Sequence, residues 1–318
     1  MEENLPKFDS NRPVLVIGAC GLDMVGRLKS DFRMGASNPA KIRTSFGGVG
    51  RNVAENLARL GQPVTFLSAV GDDERGNQLL NQARRAGVNV DYVLKTTQHP
   101  TNSYVGIISA NGQLQCAIDD MRSMTCLTVE YIKENVQLFK QASLLFVDMN
   151  IPGDVLRTVV STARRAGLPI CADPTSLILA HRLKPYLHHL LLMTPNSEEA
   201  AIYCEDIERI TNRRLALEAA KILLSQGVKI VVITLGDQGL CYATSEISGF
   251  IPAIKTEIVD PTGAGDALTA TLIFALLNNI PIDDAVRLGV SAASLTLRHS
   301  GAVVPDLSLQ KLYDQLVI

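Results

Sequence analysis

Residues 260–270 read DPTGAGDALTA. Two aspartates, Asp260 and Asp266, bracket a run of small residues, and an apolar stretch follows. Gly263, Ala264 and Gly265 stand at an expected helix start. Such a start exposes unpaired backbone N–H groups and the positive end of the helix dipole. Small side chains let a phosphate approach that backbone closely. A carboxylate inside an anion cradle is repelled by the anion it faces, so Asp266 needs a reason to be there. It can take a proton from a hydroxyl that attacks a phosphoryl group. It can also simply cap the helix. The motif alone leaves both open.

Other short motifs are narrower. GLDMVGRL (21–28) has Walker-like glycine spacing but lacks the Lys and Ser/Thr that hold phosphate and a magnesium ion. GGVGRNV (47–53) begins like a dinucleotide fingerprint, but Val53 fills the last place and the segment before it is polar. No HRD or DFG set occurs, which excludes the protein-kinase fold. In TPNSEEA (194–200), Asn196 and Glu199 lie three apart and share a helix face. They read equally as an N-cap and a first-turn acid. Thr234, Gly236 and Gly239 in TLGDQG read as a strand-to-hairpin turn. The six cysteines contain no CxxC, and the five histidines do not join them, so a zinc site or disulfide set is not expected.

The elements that must position these residues are legible as apolar runs. Strands are expected at 13–19, 63–71, 143–149, 168–174, 189–195 and 229–236. Helices are expected at 51–60, 74–86, 128–141, 153–166, from 196, and at 212–226. Near-continuous apolar strands joined by helices predict a parallel sheet covered on both faces. QGLCYAT and SGFIPAI predict an antiparallel edge hairpin, and helices near 264–278, 282–298 and 308–317 close the chain. The helical pattern breaks at 103–119, which predicts a hairpin, and 24–46 supplies further short strands. These segments, about 24–46 and 101–123, are expected to form a small β-sheet lid inserted into a single domain spanning 1–318.

Composition bounds the setting. The chain has 318 residues, 47% of them hydrophobic, and a formal net charge of −2. A near-neutral chain with scattered Arg pairs carries no electrostatic footprint for nucleic acid. The longest apolar stretches fall short of a membrane span of about 18 residues. The acidic, polar beginning MEENLPKFDS resembles no signal or transit peptide, so a cytoplasmic protein is expected.

DPTGAGDA resembles the C-terminal signature of the PfkB family of ribokinase-like sugar and nucleoside kinases. GGVGRNVA resembles its N-terminal glycine signature. GACGLD, TPNSEEA and TLGDQG match further family motifs in order along the chain. The resemblance implies a ribokinase-like three-layer α/β/α, Rossmann-like fold. It also implies an ATP-dependent phosphotransferase using Mg²⁺ and, in many members, K⁺. Asp266 would be the general base, and Gly263, Ala264 and Gly265 the anion hole. Asn196 and Glu199 would organise Mg²⁺ through water. Thr234, Gly236 and Gly239, with Asn196, Gly263 and Gly265, would hold ATP. Asp23 and Asn52 would bind sugar hydroxyls beside Gly47 and Gly48. Asp260 occupies the family's monovalent-cation position. Pro261 stands where many members have Thr or Ser. It removes one N–H, but that donor precedes the three needed.

Residues 36–61, 101–113 and 117–124 further resemble the family's pseudouridine-phosphorylating branch. The implied acceptor is the 5′-hydroxyl of pseudouridine, with Asn38, Lys41, Ser103, Asp120 and Met121 as lid residues near the base. The alternatives are ribose or another nucleoside, or a non-catalytic sugar- or nucleoside-binding regulator. Lids of this kind imply a homodimer.

Overall fold

The computed structural model describes residues 6 and 8–316. The chain begins with β1 (Val14–Ile17), β2 (Gly21–Leu28), β3 (Ala40–Gly47), α1 (Val49–Arg59), β4 (Val64–Gly71), α2 (Glu74–Arg85) and β5 (Val88–Thr96). Next come β6 (Ser103–Ile108), β7 (Leu114–Asp120), α3 (Val129–Glu134), α4 (Val136–Gln141), β8 (Leu144–Asp148), α5 (Gly153–Arg165), β9 (Ile170–Asp173) and β10 (Leu190–Met193). The last part comprises α6 (Ser197–Ala201), α7 (Arg213–Ser225), β11 (Ile230–Thr234), β12 (Gly239–Ala243), β13 (Ser248–Pro252), α8 (Ala264–Leu277), α9 (Ile282–Leu297) and α10 (Leu309–Leu316).

Nine strands form the main sheet in the order β13-β12-β11-β10-β9-β8-β1-β4-β5. The pairs from β5 to β11 are parallel, and β12 and β13 add the expected antiparallel edge. Alternate residues of β1 face opposite cores. Val14 and Val16 pack with Leu57, Leu79, Leu272 and Leu288 from α1, α2, α8 and α9. Leu15 and Ile17 pack with Ile132, Phe139, Val159 and Leu223 from α3, α4, α5 and α7. Helices therefore cover both faces, as the apolar runs predict. β1 lies between β4 and β8, and the chain departs on both sides of it. That reversal of strand order opens a crevice at the carboxyl ends of the strands, where ligands of open α/β sheets bind.

The second sheet has four strands in the order β3-β2-β6-β7. It is the small sheet expected from 24–46 and 101–123. Its row across the strands is fixed by pairing: Ser45 with Asp23, Asp23 with Tyr104, and Tyr104 with Asp119. Paired residues share a face. Tyr104 and Asp119 thus point to Asp23's side of the sheet. Met24, Ile42, Val105 and Ile118 point to the other side.

Three elements differ from expectation. The helix expected over 128–141 breaks at Asn135, whose φ of −101° and ψ of 22° end α3 and begin α4. The helix expected from 196 lasts only from Ser197 to Ala201. β5, an edge strand of mixed burial, was not expected at all.

Candidate active site

Asp266 lies in the first turn of α8. That helix is apolar almost all round and is buried against α9 and α1, so its start is held rigidly. Gly263 caps it in the left-handed region, at φ 80°. A Cβ there would lie 2.2 Å from the carbonyl oxygen of Ala302, so the turn needs glycine on two counts. No side chain caps this helix start, which leaves its N–H groups free for an anion. Space around Gly265 is open.

Asn52, on α1, donates from Nδ2 to Asp266 Oδ2 at 2.7 Å. Arg51 Nη1 donates to Asn52 Oδ1 at 2.9 Å and to the Phe46 carbonyl at 2.6 Å. Arg51 in turn pairs with Glu55, and both are almost fully buried. Arg59 closes the chain on Glu55 Oε1 at 2.7 Å. The orientation of Asp266 is therefore set by a buried polar relay running along α1. Burial raises the Asp266 carboxyl to about 7, against the pull of the Asn52 donor, with Asp148 and Asp23 adding to the rise.

Asp23 enters from β2. Burial raises its carboxyl to about 6, with Arg51 opposing and Asp260 adding. A Cβ on Gly47 would lie 1.8 Å from Asp23 Oδ2, so that glycine makes room for the carboxylate. Gly48 is the N-cap of α1. Asp148, at the end of β8, is fully buried and accepts from the backbone of Ala19, Gly50 and Asn150, each at 2.8 Å. It fastens the loop after β1 to the start of α1.

Asn196 and Glu199 form a reciprocal cap on α6. Asn196 Oδ1 accepts from the N–H groups of Glu198 and Glu199 at 2.9 Å, and Glu199 Oε2 accepts from the Asn196 N–H at 2.9 Å. Burial raises the Glu199 carboxyl. Asp173, ending β9, is raised by burial and then by Glu199 and Asp266. Asn196 bridges to Thr234 beside it. Thr234, Gly236 and Gly239 line a cavity of about 540 Å³ together with Ala264, Gly265 and apolar residues that include Ile254, Leu268 and Leu297. Motifs far apart in sequence thus meet at one cavity, with the α8 start at its end.

Asp260 is buried. Its Oδ1 accepts from the Thr262 N–H at 3.0 Å, and its Oδ2 from the Gly301 N–H at 3.2 Å and Arg43 Nη1 at 3.4 Å.

Residues 11–308 match the description "pfkB family carbohydrate kinase". The chain belongs to that family. It is a kinase, a phosphotransferase that acts on a hydroxyl group of a sugar or nucleoside. The chain is 32% identical to the pseudouridine kinase of Escherichia coli (strain K12), over 93% of this chain and 94% of that one. It is 31% identical to the ribokinase of Bacillus subtilis (strain 168), over 92% and 94%. The ribokinase structure from Giardia lamblia superposes with a TM-score of 0.86 at 20% identity, covering 97% of this chain and 99% of that one. The kinase has the ribokinase-like fold.

Not every expected site residue joins this centre. Ser103 and Asp120 pair with each other on the face of the small sheet away from Asp23. Asp120 forms an exposed ion pair with Arg122 at 2.7 Å. Met121 packs on the core under the main sheet. Asn38 is spent on its own loop, bonding Arg33 and Ala36. The kinase instead turns Tyr104 and Asp119 toward Asp23. Arg51, Glu55, Asp148 and Asp173 also stand at the site without having been expected from the sequence. The last two carried a usable signal: each is an acid closing an apolar strand at the crevice end of a parallel sheet.

Proposed function

We propose that the kinase transfers the terminal phosphoryl group of ATP to the 5′-hydroxyl of pseudouridine, giving pseudouridine 5′-phosphate and ADP. One observation carries the catalytic half. A carboxylate raised to about 7 stands in the first turn of a helix whose N–H groups are uncapped. A base with a pKa near the working pH transfers protons efficiently. Asn52 occupies Oδ2 of Asp266, leaving Oδ1 to take the proton from the acceptor hydroxyl. The N–H groups of Gly263, Ala264 and Gly265 hold the charge that develops on the phosphoryl oxygens. ATP fills the cavity beside Thr234, Gly236 and Gly239, its adenine against the apolar wall. Asp23 accepts from the ribose diol, and the remaining Asn52 N–H serves the same sugar.

Asp173 and Glu199 fit a Mg²⁺ ion. Their carboxyls are buried and raised, Asp173 partly through the charge of Glu199, which a divalent cation offsets. No group of three or more His, Cys, Asp or Glu among the described residues could hold a metal alone. This suits Mg²⁺, which binds through one or two carboxylates, water and phosphates. Bound there, it supplies neutralising charge to the phosphates. Glu199 offers Oε1, since Oε2 is spent on the cap. Asn196 offers only its NH₂ to water or phosphate. Asp260 fits K⁺ poorly, because Arg43 already supplies a positive charge at Oδ2.

The similarity to the E. coli pseudouridine kinase supports the acceptor. The near-equal similarity to a ribokinase keeps ribose as the second reading. The small sheet acts as a lid that excludes water during transfer. Its outer face carries exposed Ile42 and Ile118, an apolar surface suited to a second copy of the chain. No helix among the described residues is long and apolar enough to cross a membrane; use of ATP is what supports reading the enzyme as cytoplasmic. Mass spectrometry of the product tests the reaction. Pseudouridine with Mg-ATP should give a monophosphate and one ADP each, and Asp266→Asn should form them at least about a hundredfold more slowly. Phosphorylation by Asp266→Asn at the wild-type rate would refute the assigned base.

A further inference from the structure

We propose that Asp119 is a specificity-determining residue that reads the far edge of the nucleobase, over a platform formed by Tyr104. This rests on the reading of the acceptor as a nucleoside. Asp23, Tyr104 and Asp119 lie in one row across β2, β6 and β7, on one face of the small sheet. Tyr104 leans along its own strand: a Cβ on Gly106 would come within 3.0 Å of its Cε1 and 3.3 Å of its hydroxyl. The ring therefore reaches along β6 over Gly106, and the missing side chain of Gly106 is what leaves room for it. Burial raises the Tyr104 hydroxyl, and the charges of Asp23 and Asp119 raise it further, which places both carboxylates around the ring. Asp119 is exposed, and its side chain has no hydrogen bond or ion pair among the described residues. Its neighbour Asp120 is spent on Arg122.

The spacing suits a nucleoside. Two strand intervals of about 4.8 Å set Asp119 roughly 10 Å from Asp23 along the row. A ribose diol at Asp23 and a base lying over Tyr104 span that interval, with a hydrogen bond of about 2.8 Å at each end.

The chemistry then discriminates. A carboxylate only accepts hydrogen bonds. Pseudouridine carries its ribose on C5, so its far carbonyl, C2=O, is flanked by N1–H and N3–H. Uridine carries its ribose on N1, so its far carbonyl, C4=O, is flanked by N3–H on one side and C5–H on the other. Whichever way pseudouridine turns about its glycosidic bond, Asp119 meets an N–H. Uridine offers one in only one of two orientations. Ribose offers none.

The test is kcat/KM of the full chain for pseudouridine, uridine and ribose in wild type, Asp119→Ala and Asp119→Asn. Loss of one hydrogen bond to a charged group should lower the pseudouridine value about ten- to a hundredfold in Asp119→Ala. The loss should fall on KM, the pseudouridine-to-ribose ratio should collapse, and uridine should lose only as far as it uses its one N–H orientation. Asp119→Asn keeps a carbonyl acceptor and should restore part of the preference. An equal fall for every acceptor, or an unchanged ratio, would overturn the proposal. If wild type prefers pseudouridine but Asp119→Ala keeps the ratio, only the role of Asp119 fails. If wild type phosphorylates ribose and not pseudouridine, the acceptor reading fails and this proposal with it.

Discussion

Asp266 is a carboxylate held where ionisation is costly, and its pH behaviour follows from that. Its folded value is raised to about 7 from an ordinary value of 3.8, so it keeps its proton up to neutral pH. Activity that needs the free carboxylate is therefore present above about 7 and lost as pH falls through that value. The profile of kcat/KM against pH should show this acidic limb. Asn52 lowers the value by donating to Oδ2, so Asn52→Leu should shift the limb to higher pH. An unshifted limb in that variant would detach Asn52 from the base. Asp266→Asn should cut kcat about 10²- to 10⁴-fold, the usual contribution of a positioned base. The Asp266 carboxylate and the small-residue helix start were legible because they fall within one short motif, DPTGAGD, but the motif read equally as a cap, and the role of base followed only from the family resemblance. Arg51 was not legible, because an arginine in the first turn of a helix reads as solvated until its burial against Glu55 is seen.

The elements that aim these residues are α1 and α8. Their stability rests on the polar relay and the glycine turn. Glu55→Gln leaves Arg51 buried without its counter-charge, which should cost about 3–5 kcal/mol. Urea unfolding of that variant should show it, and a loss under 1 kcal/mol would mean the pair is dispensable. Gly263→Ala forces a side chain into a left-handed turn, at about 1–2 kcal/mol, and into the Ala302 backbone besides. It should lower both Tm and kcat, and a variant with native kcat would show that the anion cradle lies elsewhere. Alternating apolar runs made most strands and helices readable. The break at Asn135 was not readable, since 128–141 carries no Pro or Gly to mark it. β5 did carry a signal that the expectation passed over: Val88 and Val90 alternate with Asn89 and Asp91, the period-2 pattern of a half-buried strand. The faces of the small sheet depend on register, which the sequence alone does not fix. That is why Ser103 and Asp120 were expected where Tyr104 and Asp119 stand.

At the scale of the whole molecule, the small sheet has two unlike faces. One carries Asp23, Arg43 and Asp119, and the other exposes Ile42 and Ile118. The apolar face should bury against a second copy. Light scattering should report a dimer, and Ile42→Glu with Ile118→Glu should give a monomer that still folds. A wild-type monomer at micromolar concentration would contradict this. The measurement that bears most directly on the account is a competition for acceptors. With Mg-ATP, kcat/KM should be compared for pseudouridine, uridine, adenosine, inosine, ribose and fructose. Pseudouridine should lead by at least about tenfold, the worth of one well-placed hydrogen bond to a charged group. A lead for ribose or adenosine would contradict the assigned acceptor, and no turnover of any of the six would contradict the assigned kinase activity itself.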